Sequence, residues 1–309
     1  MAIIPSMRIV RFAITSCVVL LLAGSCNSNH PDKPQTAVVP DYEVVLDLFK
    51  QINAVPRPST HEQKIRQWLQ DFAATRNLEC RENKGNIILR KPATKGMEKA
   101  PTVVLQAHMD MLCVAAEGYN INFLEAGIES EKVGGFIRSK DNKTSLGADN
   151  GIGMAVALAV LDSKEIVHGP LECLFTWDKE RGMSGAAALE PGILQGRYML
   201  CLDAKEEGCL VVGTTDSVAP WLQDPNDVLV VYAQRVYQTL HGQPMELLTV
   251  DEELEASLFS DTYPDLHIIG YGPTISDAHS VHECVEIATV ATVWKYTVHL
   301  LFSISDIYL

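Results

Sequence analysis

The sequence predicts an α/β protein, built as a three-layer mixed sheet flanked by helices. Two observations predict it. From Asp41 onward, strand-like apolar runs alternate with stretches of helical periodicity, and such alternation builds a sheet with helices on its faces. Several of the apolar runs also end in a histidine or a carboxylate, at the strand ends where ligands gather in α/β sheets. A chain of 309 residues, 47% of them apolar, is long enough for one large domain or two modest ones.

In order along the chain, Arg8 and Arg11 precede the apolar run Phe12–Ala23, which closes in Leu22-Ala23-Gly24-Ser25-Cys26. A basic start, a short apolar core and small residues before a cut site read as a secretory signal over residues 1–26. The run is too short for a comfortable membrane span. Its end resembles a bacterial lipobox. The expectation is an exported cell-envelope protein that is lipid-anchored at Cys26 and meets a membrane only through that anchor. An ordinary cleaved signal peptide is the plainer alternative. Residues 27–40, polar and proline-containing, read as a tether.

Asp41–Asn53 carries apolar residues at helical spacing, with Asp41 placed to cap it. Pro56-Arg57-Pro58-Ser59-Thr60 breaks that pattern, and Thr60–Arg76 reads as a second amphipathic helix. Strands are expected at Asn86–Arg90, Thr102–Ala107, Leu171–Trp177, Tyr198–Leu202, Leu210–Gly213 and His267–Tyr271. Helices are expected at Gly151–Asp162, Gly182–Leu189 and about Val285–Phe302. The stretch 214–253 shows no motif, and within it Val228–Leu240 fits a strand or a helix.

Composition narrows the function. A formal charge of -14 argues against nucleic acid, whose phosphates need clustered Lys and Arg; it also simply keeps a protein soluble. Beyond Cys17 and Cys26 the cysteines are Cys80, Cys113, Cys173, Cys201, Cys209 and Cys284, none of them in a Cys-x-x-Cys pair. Those in apolar runs read as small buried hydrophobes, not as disulfide partners or zinc thiolates.

The chemistry lies at the strand ends. The run Val103–Ala107 leads into His108-Met109-Asp110. His108 can offer a metal an imidazole nitrogen while Asp110 fixes the tautomer through the other one. Ser145–Gly153 is a glycine-rich turn opening a helix; Asp149 in it could be no more than a helix cap, and no Lys-Ser/Thr follows to make a phosphate loop. Phe175–Gly185 is a strand ending in Asp178-Lys179-Glu180, Leu200-Cys201-Leu202-Asp203 delivers another carboxylate, and Gly272–Ser280 presents His279. Singly each is bland. Together they supply two histidines and three carboxylates in the order His, Asp, Glu, Asp, His, a set suited to two zinc ions bridged by one carboxylate.

These segments resemble the Xaa-His dipeptidase (aminoacyl-histidine dipeptidase) family of di-zinc metallopeptidases. The likeness runs from about Asp41 to Gly213 and from about Leu254 to Leu301. It includes Pro56-Arg57-Pro58-Ser59, Gly85-Asn86, His108-Met109-Asp110-Met111, Leu146–Gly153, Gly182-Met183-Ser184-Gly185-Ala186, Gly272-Pro273-Thr274-Ile275 and Ala278-His279-Ser280. The resemblance implies a zinc-peptidase catalytic domain over 41–213 and 254–309, with residues 214–253 a short remnant where the family has a lid and dimerisation domain. It implies that Asp149 bridges two Zn2+ ions, that His108 and Asp203 hold one, that Glu180 and His279 hold the other, and that Asp110 orients His108. Carboxylate-rich dinuclear sites also accept Mn2+ or Co2+.

Two departures stand out. Lys179 occupies the position of the family's glutamate base, and an ammonium accepts a proton only after losing one, which zinc ions and burial would have to favour by lowering its pKa. Asp251-Glu252-Glu253 stands where the family usually has His-Ala-Gly, and the lid's substrate contacts are missing. The implied function is a zinc dipeptidase that cleaves small peptides such as Xaa-His dipeptides, impaired at Lys179. A non-catalytic metal- or peptide-binding lipoprotein is the alternative. Without the lid's dimer contacts, a monomer is expected.

Overall fold

A computed structural model describes residues 10–11, 37–215, 220–251 and 254–306. The signal, its Cys26 end and most of the tether lie outside these residues, apart from Val10–Arg11, which form a short strand (β1).

Two helices, α1 (Glu43–Asn53) and α2 (Gln63–Thr75), come first. In α1 the apolar spacing puts Val45, Leu46, Leu48, Phe49 and Ile52 on one buried face. Asp41 Oδ1 accepts the Glu43 backbone N–H at 3.0 Å, so the expected capping bond comes from the residue before the N-cap, Tyr42. A hairpin follows, β2 (Glu79–Asn83) and β3 (Asn86–Lys91), then β4 (Val103–His108). Strands β5 (Ser130–Val133) and β6 (Phe136–Ser139) make a second hairpin, and α3 (Ala148–Asp162) follows. From Ala148 to Leu161 every residue of α3 is buried, the mark of a helix enclosed on all sides.

Next come β7 (Leu171–Thr176), the short helices α4 (Lys179–Gly182) and α5 (Ser184–Ala188), β8 (Tyr198–Cys201), β9 (Cys209–Thr214) and β10 (Trp221–Leu222). The helix expected over Gly182–Leu189 is α5, which starts only at Ser184, after Met183 takes a left-handed conformation at φ 52°; α4 precedes it as a separate turn. The rest is α6 (Val228–His241), β11 (Glu246–Val250), α7 (Ala256–Thr262), β12 (His267–Gly270), β13 (Ile275–Ser276), β14 (Cys284–Glu286) and α8 (Ile287–Asp306). Helix α8 is apolar enough to cross a membrane by length and composition alone, but half of it is buried here, with Val290, Trp294 and Leu301 in the main core.

The main sheet has ten strands in the order β1-β11-β9-β12-β8-β4-β7-β3-β2, with β10 beside β9. It is mixed, as expected: β12, β8, β4 and β7 are parallel neighbours, whereas β9 meets β12 antiparallel. Strands β4, β7 and β8 are buried along their whole length, which explains why they read as unbroken apolar runs. Helices α1, α2, α3, α6 and α8 contribute to the core on one face, and α5 and α7 to the core on the other. Strands β13, β14, β6 and β5 form a separate antiparallel sheet.

The described residues of the interval 214–253, expected as a remnant in place of a lid, belong to this architecture. Val228–His241 is a helix whose Leu229, Val230, Ala233 and Tyr237 are buried. Glu246–Val250 then adds a parallel strand beside β9. Its mixed apolar pattern left helix and strand open because both faces of α6 carry valines and tyrosines.

Candidate metal centre

Parallel register places the chemistry. His108, the last residue of β4, lies opposite Thr176 at the end of β7. Asp203 follows the end of β8, and Gly270 of β12 pairs with Cys201. The chain therefore leaves the four neighbouring strands β12, β8, β4 and β7 at one edge and brings His108, Lys179-Glu180, Asp203 and His279 to the same side.

His108, Asp149, Glu180, Asp203 and His279 all converge there. His108 Nε2 is 3.0 Å from Asp149 Oδ1, 3.4 Å from Glu180 Oε1 and 3.4 Å from Asp203 Oδ1. His279 Nε2 is 3.2 Å from Asp149 Oδ2 and 3.0 Å from Glu180 Oε2. On its other side, His108 Nδ1 is 3.3 Å from Asp110 Oδ1. Asp110 Oδ2 accepts from Ser59 Oγ at 2.7 Å, and the Asp110 carboxylate takes the backbone N–H groups of Lys179 at 3.1 Å and Glu180 at 3.2 Å. One carboxylate thus fixes both the imidazole and the acidic loop. Burial raises the Asp110 pKa, but its bonds to His108 and Ser59 win and hold it at about 2.

The Asp149 loop is held by residues the sequence did not flag. Glu283 accepts the backbone N–H groups of Leu146 at 2.9 Å, Gly147 at 3.0 Å and Asp149 at 3.3 Å. Arg57, 1% exposed, donates to the carbonyl oxygens of Asp110 and Gly147 and to Asn53 Oδ1. Only glycine fits at 147: its φ is +74°, and a Cβ would lie 2.6 Å from Arg57 Nη2 and 2.7 Å from Met111 Sδ. Asp149 is therefore more than a cap. It points from this loop at both imidazoles. The stretch Pro56–Ser59 was a visible signal for Arg57; nothing in the sequence marked Glu283.

Two lysines complete the cluster. Lys179 Nζ lies 3.3 Å from Glu180 Oε1 and 3.2 Å from Asp203 Oδ2, and Lys205 Nζ lies 3.1 Å from Asp149 Oδ2. Asp203 also accepts from Asn150 Nδ2 at 2.9 Å. The condition for Lys179 to act as a base, a lowered pKa, is not met: burial lowers it, but Asp203, Asp149 and Glu180 together raise it well above the usual lysine value. Burial likewise disfavours the His108 imidazolium, yet Asp203 and the bonds to Asp110 and Asp149 carry its pKa well up. His279, bonded to Asp149 and Glu180, is raised to about 9. One more buried acid, Glu255, takes hydrogen bonds from Thr176 Oγ1 and Gln106 Nε2, each at 2.7 Å. Burial pushes its pKa up to about 7, and its Oε1 has no hydrogen-bond partner among the described residues.

The donor set fits a divalent cation. His108, Asp149 and Glu180 each offer a ligand atom within 4.8 Å of the others, and imidazole with carboxylate suits zinc. Beside the cluster opens a cavity of about 760 Å3. Lys179, Glu180, Asp203, Lys205 and His279 line one part of it, and Val211, Leu248, Val250, Leu254 and Ile275 line another.

Over 173 residues, 56% of its length, the chain is 40% identical to the cytosol non-specific dipeptidase of Escherichia coli (strain K12). Over that stretch the chain is similar to this dipeptidase. The chain spans about a third of that dipeptidase's length, 35%. In fold it is similar to the aminoacylhistidine dipeptidase of Vibrio alginolyticus, with a TM-score of 0.81 at 21% identity over 85% of this chain and 98% of the other. It is also similar to the aminopeptidase PepT of Bacillus cereus, with a TM-score of 0.73 at 16% identity over 86% and 99%. No protein-family model matches.

One expectation falls. Export with a lipid anchor at Cys26 rested on residues 1–26 alone, and the curated relative is named a cytosol enzyme. A short basic-then-apolar stretch is a compositional signal that a domain's own N-terminal segment can imitate.

Proposed function

We propose that the chain is a cytosolic, metal-dependent peptidase acting on small peptides, with dipeptides of the Xaa-His kind as its expected substrates and zinc as its expected metal. The observation that carries this reading is the convergence of His108, Asp149, Glu180, Asp203 and His279 from distant parts of the chain onto one strand edge.

His108, Asp149, Glu180, Asp203 and His279 would hold the metal, which when bound polarises a scissile carbonyl and acidifies water. Asp110 keeps the His108 ring oriented and its Nε2 turned to the cluster. The apolar wall formed by Val211, Leu248, Val250, Leu254 and Ile275 favours a substrate with an apolar side chain. Lys179 is the weak point. Held as an ammonium by Glu180 and Asp203, it offers three N–H donors and no lone pair, so the water's proton has no acceptor at this position.

Slow, chelator-sensitive hydrolysis is therefore expected, and Lys179→Glu should speed it by about 10²–10⁴-fold, the usual worth of a general base. The assay is release of histidine from a Leu-His dipeptide by the zinc-loaded full chain and by K179E. Turnover by neither, with zinc demonstrably bound, would sink the peptidase reading. It would leave a non-catalytic metal- or peptide-binding protein, the reading that Lys179 itself favours.

A further inference from the structure

A groove of about 960 Å3 opens at the end of the sheet away from the metal cluster. It lies where β8 and β12 begin: Arg197 stands just before Tyr198, the first residue of β8, and Tyr198 pairs with His267, the first residue of β12. The cluster lies past the other ends of the same two strands. We propose that this groove binds a small zwitterion, a free amino acid or dipeptide with an apolar side chain, at a site separate from the metal centre.

The charges set the class of ligand. Two acids line the groove, Asp227 and Asp265. Asp227 is committed, because its Oδ1 accepts the Leu229 backbone N–H at 2.8 Å and caps α6, while its Oδ2 lies 2.5 Å from His267 Nδ1. The Asp265 carboxylate has no hydrogen bond or ion pair among the described residues. Arg197 is the one lysine or arginine among the described lining residues. It lies 5.9 Å from the Tyr198 ring and pairs with no acid among the described residues. One uncommitted cation and one uncommitted carboxylate match the two charged ends of an amino acid or peptide. A simple anion would meet like charge at Asp265, and a simple cation would meet it at Arg197.

The rest of the lining suits the body of such a molecule. Trp221, Pro264 and Leu266 supply apolar wall, and Leu222, 67% exposed, adds to it. Asp227 holds the His267 ring by Nδ1 and leaves Nε2 for a polar group of the ligand. The Tyr198 ring lies 5.4 Å from the His267 ring and also contacts Arg197, which keeps the two basic side chains near one another. A groove of this size, mostly pre-formed and with few polar groups fixed in place, is what a small ligand needs.

The test is the intrinsic fluorescence of the metal-free full chain, titrated with L-leucine and with Leu-Leu. Metal-free protein keeps the dipeptide intact, so the result does not depend on the peptidase reading. Trp221 lines the groove, and Trp68, Trp177 and Trp294 do not, so Trp221→Phe serves as the blank. A saturable change is expected that the blank loses, and the tighter of the two ligands shows whether the groove takes free amino acids or dipeptides. The N-acetylated form of that ligand lacks the ammonium and its amide lacks the carboxylate; each should bind at least about tenfold more weakly. Arg197→Gln and Asp265→Asn should weaken the parent ligand to the same degree. No saturable change with either ligand would overturn the proposal. So would equal affinity for the N-acetylated form, or undiminished binding to a folded Arg197→Gln protein. Should the variants fail to fold, the parent, acetylated and amidated ligands on the unaltered chain decide.

Discussion

Arg57→Met probes the frame that holds Asp149 in place. The guanidinium is 1% exposed and donates to Asp110 O at 3.1 Å, Met109 O at 3.4 Å, Asn53 Oδ1 at 3.2 Å and Gly147 O. Methionine fills most of the same volume but makes none of these bonds, and it removes the cation facing Glu283, Asp110 and Asp149. Each hydrogen bond from a charged donor contributes about 1.5–3 kcal/mol, set against the cost of burying the charge. Breaking a buried ionic arrangement by deleting one partner costs about 3–5 kcal/mol net. For a chain of this size that is a fall in Tm on the order of 10 °C. Thermal and urea unfolding of the metal-free protein, followed by circular dichroism, reads it directly. Pairing the change with Glu283→Gln should give a coupling of about 0.5–3 kcal/mol, because both residues hold the one loop. A loss below about 1 kcal/mol, within the range of an ordinary surface substitution, would refute the idea that Arg57 is the loop's internal brace.

Two further outcomes are expected. Asp110→Asn keeps the shape of the side chain but weakens the grip on His108 and the Lys179-Glu180 turn; zinc affinity, measured against a chromophoric chelator, should fall by about 10–100-fold, and an unchanged affinity would remove Asp110 from its orienting role. Glu255, raised from 4.5 to about 7 by burial, favours the folded state while protonated. Its contribution is fully present below about pH 4.5 and is lost as pH rises through about 7, costing on the order of 1–3 kcal/mol above that. Glu255→Gln should flatten the stability profile across this window; an unaltered slope in unfolding experiments between these pH values would argue that another group sets it.

The strands β4, β7, β8, β9 and β12 could be read from the sequence because their burial on both faces writes an apolar run, and α1 and α2 because their apolar spacing is regular. His108, Glu180 and Asp203 were legible for a related reason, standing at or just past the ends of such runs, whereas Asp149 and His279 lie in glycine-containing turns. The second hairpin was not: β5 and β6 are short, only partly buried, and carry Glu131, Lys132 and Arg138, so no pattern announces them. Nor could spacing reveal Glu283 or Lys205. Both act through long-range contacts, with backbone amides of the Asp149 loop and with the Asp149 carboxylate, and sequence proximity to His279 or Asp203 does not say which way a side chain turns. Lys179 was legible as a substitution, but the direction of its pKa depended on the acids that the fold packs around it.

The Glu283 contacts also say when this site can exist. They join residues 137, 136 and 134 positions apart, and His279 reaches Asp149 across 130. Closing loops of that length is entropically costly and rewarded only after intervening elements dock. During synthesis, strands β4, β7 and β8 can pair while the Asp149 loop still lacks the carboxylate that takes its amides, and His279 arrives with the same late segment. Assembly of the cluster is therefore among the last events of folding, and capture of metal by the completed cluster would mark a chain in which that late segment has docked.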